Sequence, residues 1–301
     1  MMYKIDLATL RKLAGIYNYT IPISGVYAFA IRGGNGLMTN HDAGFSVTAK
    51  PSGFITDNLN LHCVIGLVNK ADIIAFPAST VPHKDALIAA DKAEGKGANQ
   101  LCVGAYVFNK GIHKAGSPTA HGAFRQPDIK WPIRRSADDS IIELTDIISF
   151  EIPHDNLHAA WTNSDTSGAF GSNGCQVIIG KPGVVVSGWY RFKIAAYKAL
   201  NLLHTDKLDY FMFDVKDVVS VSNGVQVANK IVYGSSGVSV YKFLELFYDK
   251  VSFKVAGKLS NQFTAANMRD VITYQKENDL VPDGVVGNNT LKSLNINLYG
   301  W

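Results

Sequence analysis

Cys175 stands directly after a glycine, in Ser172-Asn173-Gly174-Cys175-Gln176, at the entry to the apolar run Val177-Ile178-Ile179. A thiolate is a strong nucleophile, and it needs a base or a cation beside it. Seventeen residues upstream lies His158, in Asn156-Leu157-His158-Ala159-Ala160-Trp161. A strand, a loop and a return turn of that length can bring the imidazole to the thiol. The chemistry open to this pair is acyl transfer, with Cys175 attacking a carbonyl and His158 accepting and returning the proton. A backbone carbonyl, or His154, Asp155 or Asn156, would orient His158, and His154 is the alternative base. The flanking glycines Gly168, Gly171 and Gly174 allow close backbone approach, so amides around Gly174 and Cys175 are expected to receive the oxyanion. Asn173, in the same turn, is a further oxyanion or substrate candidate. Ser172 reads either as a substrate or oxyanion contact or as a turn-former. Cys63 and Cys102 lie in apolar runs and read as small core residues.

Other chemistries have less to stand on. His154-x-x-x-His158 has the spacing of two zinc ligands on one helix face, and His83, His113 and His121 are further ligands a fold could recruit. Pro153 and the strand-like residues before it oppose a helix there, and no Glu follows the first His. Neither a metal nor another cofactor is expected. Asp138-Asp139 and Glu143 read as solvated surface rather than as a glycosidase pair. Arg134-Arg135 reads as a surface pair, with Arg134 the candidate for a bidentate grip on a substrate carboxylate.

The elements that must position these residues change along the chain. Asp6–Gly15 predicts a short amphipathic helix within an N-terminal segment, 1–23. From 24 to 204 short β-rich runs alternate with Gly, Asn, Asp, Ser and Pro: Gly25–Ile31, Cys63–Val68, Ile73–Phe76, Cys102–Asn109, Ile147–Ile152 and Gln176–Ile179. Lys84–Ala93 and Tyr190–His204 predict helices in that region. Residues 205–232 read as a β-hairpin connection, Tyr210–Val221 and Gly224–Val232, turned at Asn223-Gly224. Residues 233–301 read as helical, with Val238–Tyr248 and a helix from Thr264 to Glu277 capped by Thr264. The fold class is therefore α+β, a mainly β domain followed by a small helical domain, which the resemblance described below makes a three-helix bundle. Hydrophobic residues at 47% and charged residues at 18% exclude a disordered chain. Twenty-nine basic against 25 acidic residues, with no basic block, leave nucleic acid without support as a partner. No apolar run approaches the ~20 residues of a membrane span, so membrane insertion is not expected.

The segment from Tyr274 to Leu291, Tyr-Gln-Lys-Glu-Asn-Asp-Leu-Val-Pro-Asp-Gly-Val-Val-Gly-Asn-Asn-Thr-Leu, resembles the peptidoglycan-binding domain of the three-helix type. It carries the family's aromatic-Gln pair, the Leu, the Asp-Gly-Val-Val-Gly turn and the following Thr. Asp283-Gly284 and Gly287 are expected to make a turn with positive φ, and Thr290 to cap the last helix. Tyr274, Gln275 and Asp283 read as core and turn residues. The resemblance covers roughly residues 232–296.

Leu157-His158 and Gly171-Ser172-Asn173-Gly174-Cys175-Gln176 are similar to the L,D-transpeptidase (YkuD-like) catalytic domain. The match is to the variant with Gln after the cysteine, and Asn173 stands where most members have His. Ala78-Ser79-Thr80-Val81-Pro82 and Gly104-Ala105-Tyr106 resemble the family's earlier strands. The similarity spans about 66–186 and is sharp only from His158 to Cys175. It implies a thioacyl enzyme on peptidoglycan stem peptides, resolved by an amine or by water, in a monomer held on the glycan by its C-terminal domain. Two alternatives remain: a zinc-dependent murein endopeptidase or endolysin, and an inactive wall-binding protein of a phage particle. Met-Met-Tyr-Lys-Ile-Asp-Leu has no signal-peptide h-region. A wall-acting chain of this kind is expected to arrive by lysis, on a phage particle or through a contractile secretion system.

Overall fold

In the computed structural model, residues 2–36, 45–48, 57–92, 97–136, 140–166 and 170–298 are described. The Asp138-Asp139 pair and Gly168 lie outside them. Eight strands close into a barrel: β1 (Val26–Arg32), β2 (Cys63–Asn69), β3 (Asp72–Ser79), β4 (Ala105–His113), β5 (His121–Arg125), β6 (Leu157–Ala159), β7 (Gln176–Ile178) and β8 (Lys207–Asp214). The order round the barrel is β6-β7-β3-β2-β1-β8-β4-β5, and β5 returns to β6 through Leu157 opposite Phe124. Two pairings are parallel, β6 with β7 and β1 with β8; the others are antiparallel.

Strand β1 shows why these runs are apolar almost throughout. Val26, Ala28 and Ala30 enter one hydrophobic cluster, and Tyr27, Phe29 and Ile31 enter another. A strand buried on both faces loses the alternation of a half-exposed one. Helix α1 (Leu7–Ile16), capped by the Asp6 carboxylate on the Thr9 N–H at 2.8 Å, lays Leu10, Leu13, Ala14 and Ile16 on the second cluster. Helix α2 (Lys84–Asp91) carries Leu87 and Ala90 into a small separate cluster. Helix α3 (Gly188–Leu202), N-capped by Ser187, puts Trp189, Phe192, Ala196, Ala199 and Leu200 into the first cluster and touches β2, β3, β6 and β8.

The expected hairpin over 205–232 is not present. Lys207–Asp214 is a barrel strand, and helix α4 (Val215–Ser222) follows it directly. Val215, Val218 and Val221 are buried three residues apart, a helical spacing that outweighs their β-branching. Asn-Gly serves here as a helix stop. The Val225 N–H returns to the Ser220 carbonyl at 2.8 Å, and Gly224 takes φ 71°. The barrel accordingly runs past residue 204, to Asp214.

Helices α5 (Val238–Lys250), α6 (Ala265–Glu277) and α7 (Asn288–Ser293) share one hydrophobic cluster built on Val240, Phe243, Phe247, Val271 and Leu291, joined by Cys102 and Ile231 from outside. Thr264 caps α6 in a reciprocal capping box with Asn267. The buried Gln275 amide ties the 283–290 turn, donating to Asp283, to the Val285 carbonyl and to Thr290, and accepting from the Gly284 N–H. Gly284 has φ 71° as expected, but Gly287 does not, at −119°. Gly287 rather than Thr290 is the N-cap of α7, because Thr290 lies inside the helix with its hydroxyl on the Val285 carbonyl. Among the described residues no helix is long and apolar enough to cross a membrane.

Candidate active site

The parallel pairing of β6 and β7 sets His158 opposite Val177, with Cys175 one residue before β7 begins. The Gln176 N–H reaches the Asn156 carbonyl at 2.9 Å, and the Asn156 N–H points at Cys175 Sγ at 3.4 Å. The two parts of the expected dyad therefore lie side by side, His158 on β6 and Cys175 at the entry to β7.

The loop carrying Cys175 is built by its own hydrogen bonds. Ser172 Oγ accepts from the Gly174 N–H at 3.1 Å and donates to the Cys175 carbonyl at 2.8 Å. Of its two sequence readings, turn-former is the one the geometry supports. The loop is also pinned from outside, by the His83 N–H on the Ser172 carbonyl and the Asn99 N–H on the Asn173 carbonyl. The Asn173 side chain itself is exposed. Gln176 donates to the Gly174 carbonyl and accepts from the Tyr210 hydroxyl.

Gly174 has φ 153°, and a Cβ there would sit 2.5 Å from Asn99 Nδ2 and 2.6 Å from Asp155 Oδ1. Gly174→Ala is expected to cost on the order of 2–4 kcal/mol, from the strained backbone and the overpacking together. A chemical-denaturation midpoint unchanged from the parent would contradict this contact.

Two imidazoles, His113 and His158, lie close to the thiol, and a third, His121, adjoins them. The β4–β5 hairpin pairs His113 with His121, and His113 stacks on His158 with ring centroids 4.1 Å apart at 16°. His121 stands edge-on to both and to half-exposed Trp161. An imidazole from a distant strand, His113, thus stands beside His158. His158 Nδ1 lies 2.8 Å from the Ala159 carbonyl. A neutral ring must donate there, which leaves Nε2 as the free base. The orienting group is a carbonyl, one of the options open from sequence.

Burial, with His113 as the next cause, holds the His158 pKa well below its ordinary value. Burial pushes the Cys175 thiol up to about 12, and the neighbouring Asp155 carboxylate adds to that. The resting pair is therefore a neutral thiol and a neutral imidazole rather than a thiolate–imidazolium pair. Asp155 is itself raised to about 7 by burial. Asn99 gives its Oδ1 one long hydrogen bond of 3.3 Å, and its Oδ2 has no partner.

The other sequence candidates fall elsewhere. His154 is exposed, with φ 58°, and is not in the group around the thiol. Lying before the strand that holds His158, it shares no helix face with it. Arg134 is buried rather than a surface residue. It donates to the Glu143 carbonyl at 2.7 Å and lines a different cavity of about 340 Å³ with Arg32, Cys102 and Asp283. Arg135 is half-buried on the Ala98 carbonyl and Glu151. Cys63 and Cys102 are buried, as expected of core residues.

Sequence reading considered His113 and His121 only as metal ligands. Their signal was a pair of histidines flanking the turn-rich Lys114–Ala120, a spacing that makes them cross-strand neighbours. Among the described residues, one donor atom each from His113, His158 and Cys175 lie within 4.8 Å of one another, the group that a metal could use. No family model, curated protein or solved structure matches the chain.

Proposed function

We propose that the chain is a cysteine-dependent enzyme of peptidoglycan, acting on stem peptides through a Cys175 thioacyl intermediate and held on the polymer by residues 233–301. The observation that carries this is the thiol beside a histidine whose free Nε2 is set by the Ala159 carbonyl. The L,D-transpeptidase-like motif around Cys175 and the peptidoglycan-binding motif around Asp283-Gly284 support the substrate class.

In the first step the Cys175 S–H proton passes to His158 Nε2 as the sulfur bonds to the carbonyl carbon. Collapse of the tetrahedral intermediate breaks the C–N bond, and His158 returns the proton to the leaving amine. Water or an acceptor amine then attacks the thioester and regenerates the thiol, giving hydrolysis or transpeptidation. The tether raises the local concentration of substrate. Mass spectrometry of muropeptides after digestion of sacculi tests this reading. New or shortened stem peptides, absent with Cys175→Ala, are expected, whereas cleaved glycan with intact stems would refute it.

The cluster of His113, His158 and Cys175 favours one second reading, a zinc-dependent murein endopeptidase. Activity abolished by a chelator and restored by zinc would select it.

A further inference from the structure

We propose that His113 donates the hydrogen bond that stabilises the oxyanion formed at Cys175, held in its Nε2–H tautomer by Asn156. This rests on the reading of Cys175 as an acyl-transfer nucleophile. The Gln126 backbone N–H, which can only donate, lies 3.1 Å from Asn156 Oδ1. The other amide atom, Nδ2, is therefore the one 2.9 Å from His113 Nδ1. An Nδ2–H donor makes His113 Nδ1 an acceptor, so the proton of the neutral ring sits on Nε2. The stacked partner has the opposite arrangement, with Nδ1–H on the Ala159 carbonyl and Nε2 bare. Two stacked rings close to the same thiol thus carry one bare Nε2 and one Nε2–H.

Elimination leads to the same residue. A transition-state oxyanion needs donors about 2.7–3.1 Å away. The Gly174 N–H expected for that task is taken by Ser172 Oγ, and the Asn156 N–H lies on the sulfur. Of the backbone amides around Gly174 and Cys175, the Cys175 N–H remains. A side-chain donor must supplement it. His158 is the base. His121 spends its Nδ1–H on the Thr119 carbonyl at 2.7 Å, and its Nε2 is a bare, buried acceptor. His113 alone of the three offers an N–H. Burial, His121, Lys114 and Arg125 lower its pKa to about 4, so near neutrality it donates as the uncharged ring.

Two reactions of the same sulfur separate this role from a structural one. Acylation by p-nitrophenyl acetate passes through an oxyanion, and alkylation by iodoacetamide does not. Asn156→Asp keeps an oxygen for Gln126 but places a carboxylate opposite His113 Nδ1, which moves the proton there. At about pH 9, where the imidazole is neutral, the ratio of acylation to alkylation should fall on the order of 10²-fold in Asn156→Asp. His113→Ala should fall similarly, and His113→Gln, which supplies an amide N–H, should recover part of the loss. An unchanged ratio in His113→Ala, acylation and alkylation falling together, or no acylation of Cys175 in the parent enzyme would each overturn the proposal. An ester reaction that obeys the proposal while sacculi yield no peptide products would refute only the murein assignment.

Discussion

Cys175→Ala is expected to lower the release of peptide products from purified sacculi by on the order of 10⁴-fold or more. Removal of a nucleophile is a large loss because no other group can form the acyl bond. The reason is local here as well. His158 is a weak base, its pKa held down by burial and His113, so it cannot activate water strongly in place of the thiol. Cys63 cannot substitute, being buried with its sulfur on Thr80 Oγ1 at 3.4 Å. The Cys175→Ala protein should still sediment with sacculi, since the shared core of α5, α6 and α7 lies elsewhere. Full product release by the variant would remove Cys175 from the mechanism. Equal inactivity of parent and variant, with sedimentation intact, would favour a wall-binding protein without catalysis.

Asp155→Asn is expected to stabilise the fold at pH 8 and to leave it almost unchanged near pH 4. In the folded state the carboxyl holds its proton up to about pH 7, whereas an unfolded Asp loses it near ~3.9. Between those values the folded state binds more protons than the unfolded one, so stability falls as pH rises and levels off above pH 7. Three units correspond to on the order of 4 kcal/mol, an upper figure for the gain on removing the charge. At pH 8 the midpoint of thermal unfolding should rise by several degrees. Alkylation of Cys175 should also speed up, because the carboxylate that disfavours the thiolate is gone. A variant whose stability keeps the parent's slope between pH 4 and 7 would show that Asp155 is not the group responsible. The amide also suits its neighbour. Asn99 Oδ1 and Asp155 Oδ2 both lack partners, and an amide at 155 brings a donor that could satisfy the first.

Much of the fold was legible because its signals are local. The helix near Asp6–Gly15, the Thr264 cap of α6 and the β-rich run of β1 were all read from neighbouring residues. The hairpin reading of 205–232 failed at a point where one dipeptide has two uses. Asn-Gly ends a helix as readily as it turns a hairpin, and the valines before it had to be counted by threes. Thr290 was misplaced by a single turn, since a Thr within a helix can hydrogen-bond backward as readily as one at its start.

The candidate site divides in the same way. Residue types and a seventeen-residue spacing were enough to pair Cys175 with His158, and the structure brings the two together, His158 on β6 and Cys175 at the entry to β7. What surrounds the pair was decided by pairing between distant strands. That pairing brought His113 to His158 and put Asn156 on His113. The charge state followed too, because a pKa depends on burial and on neighbours that the chain order does not reveal. Sequence determined what reaction the thiol could attempt; only the tertiary structure decided that thiol and imidazole both rest neutral.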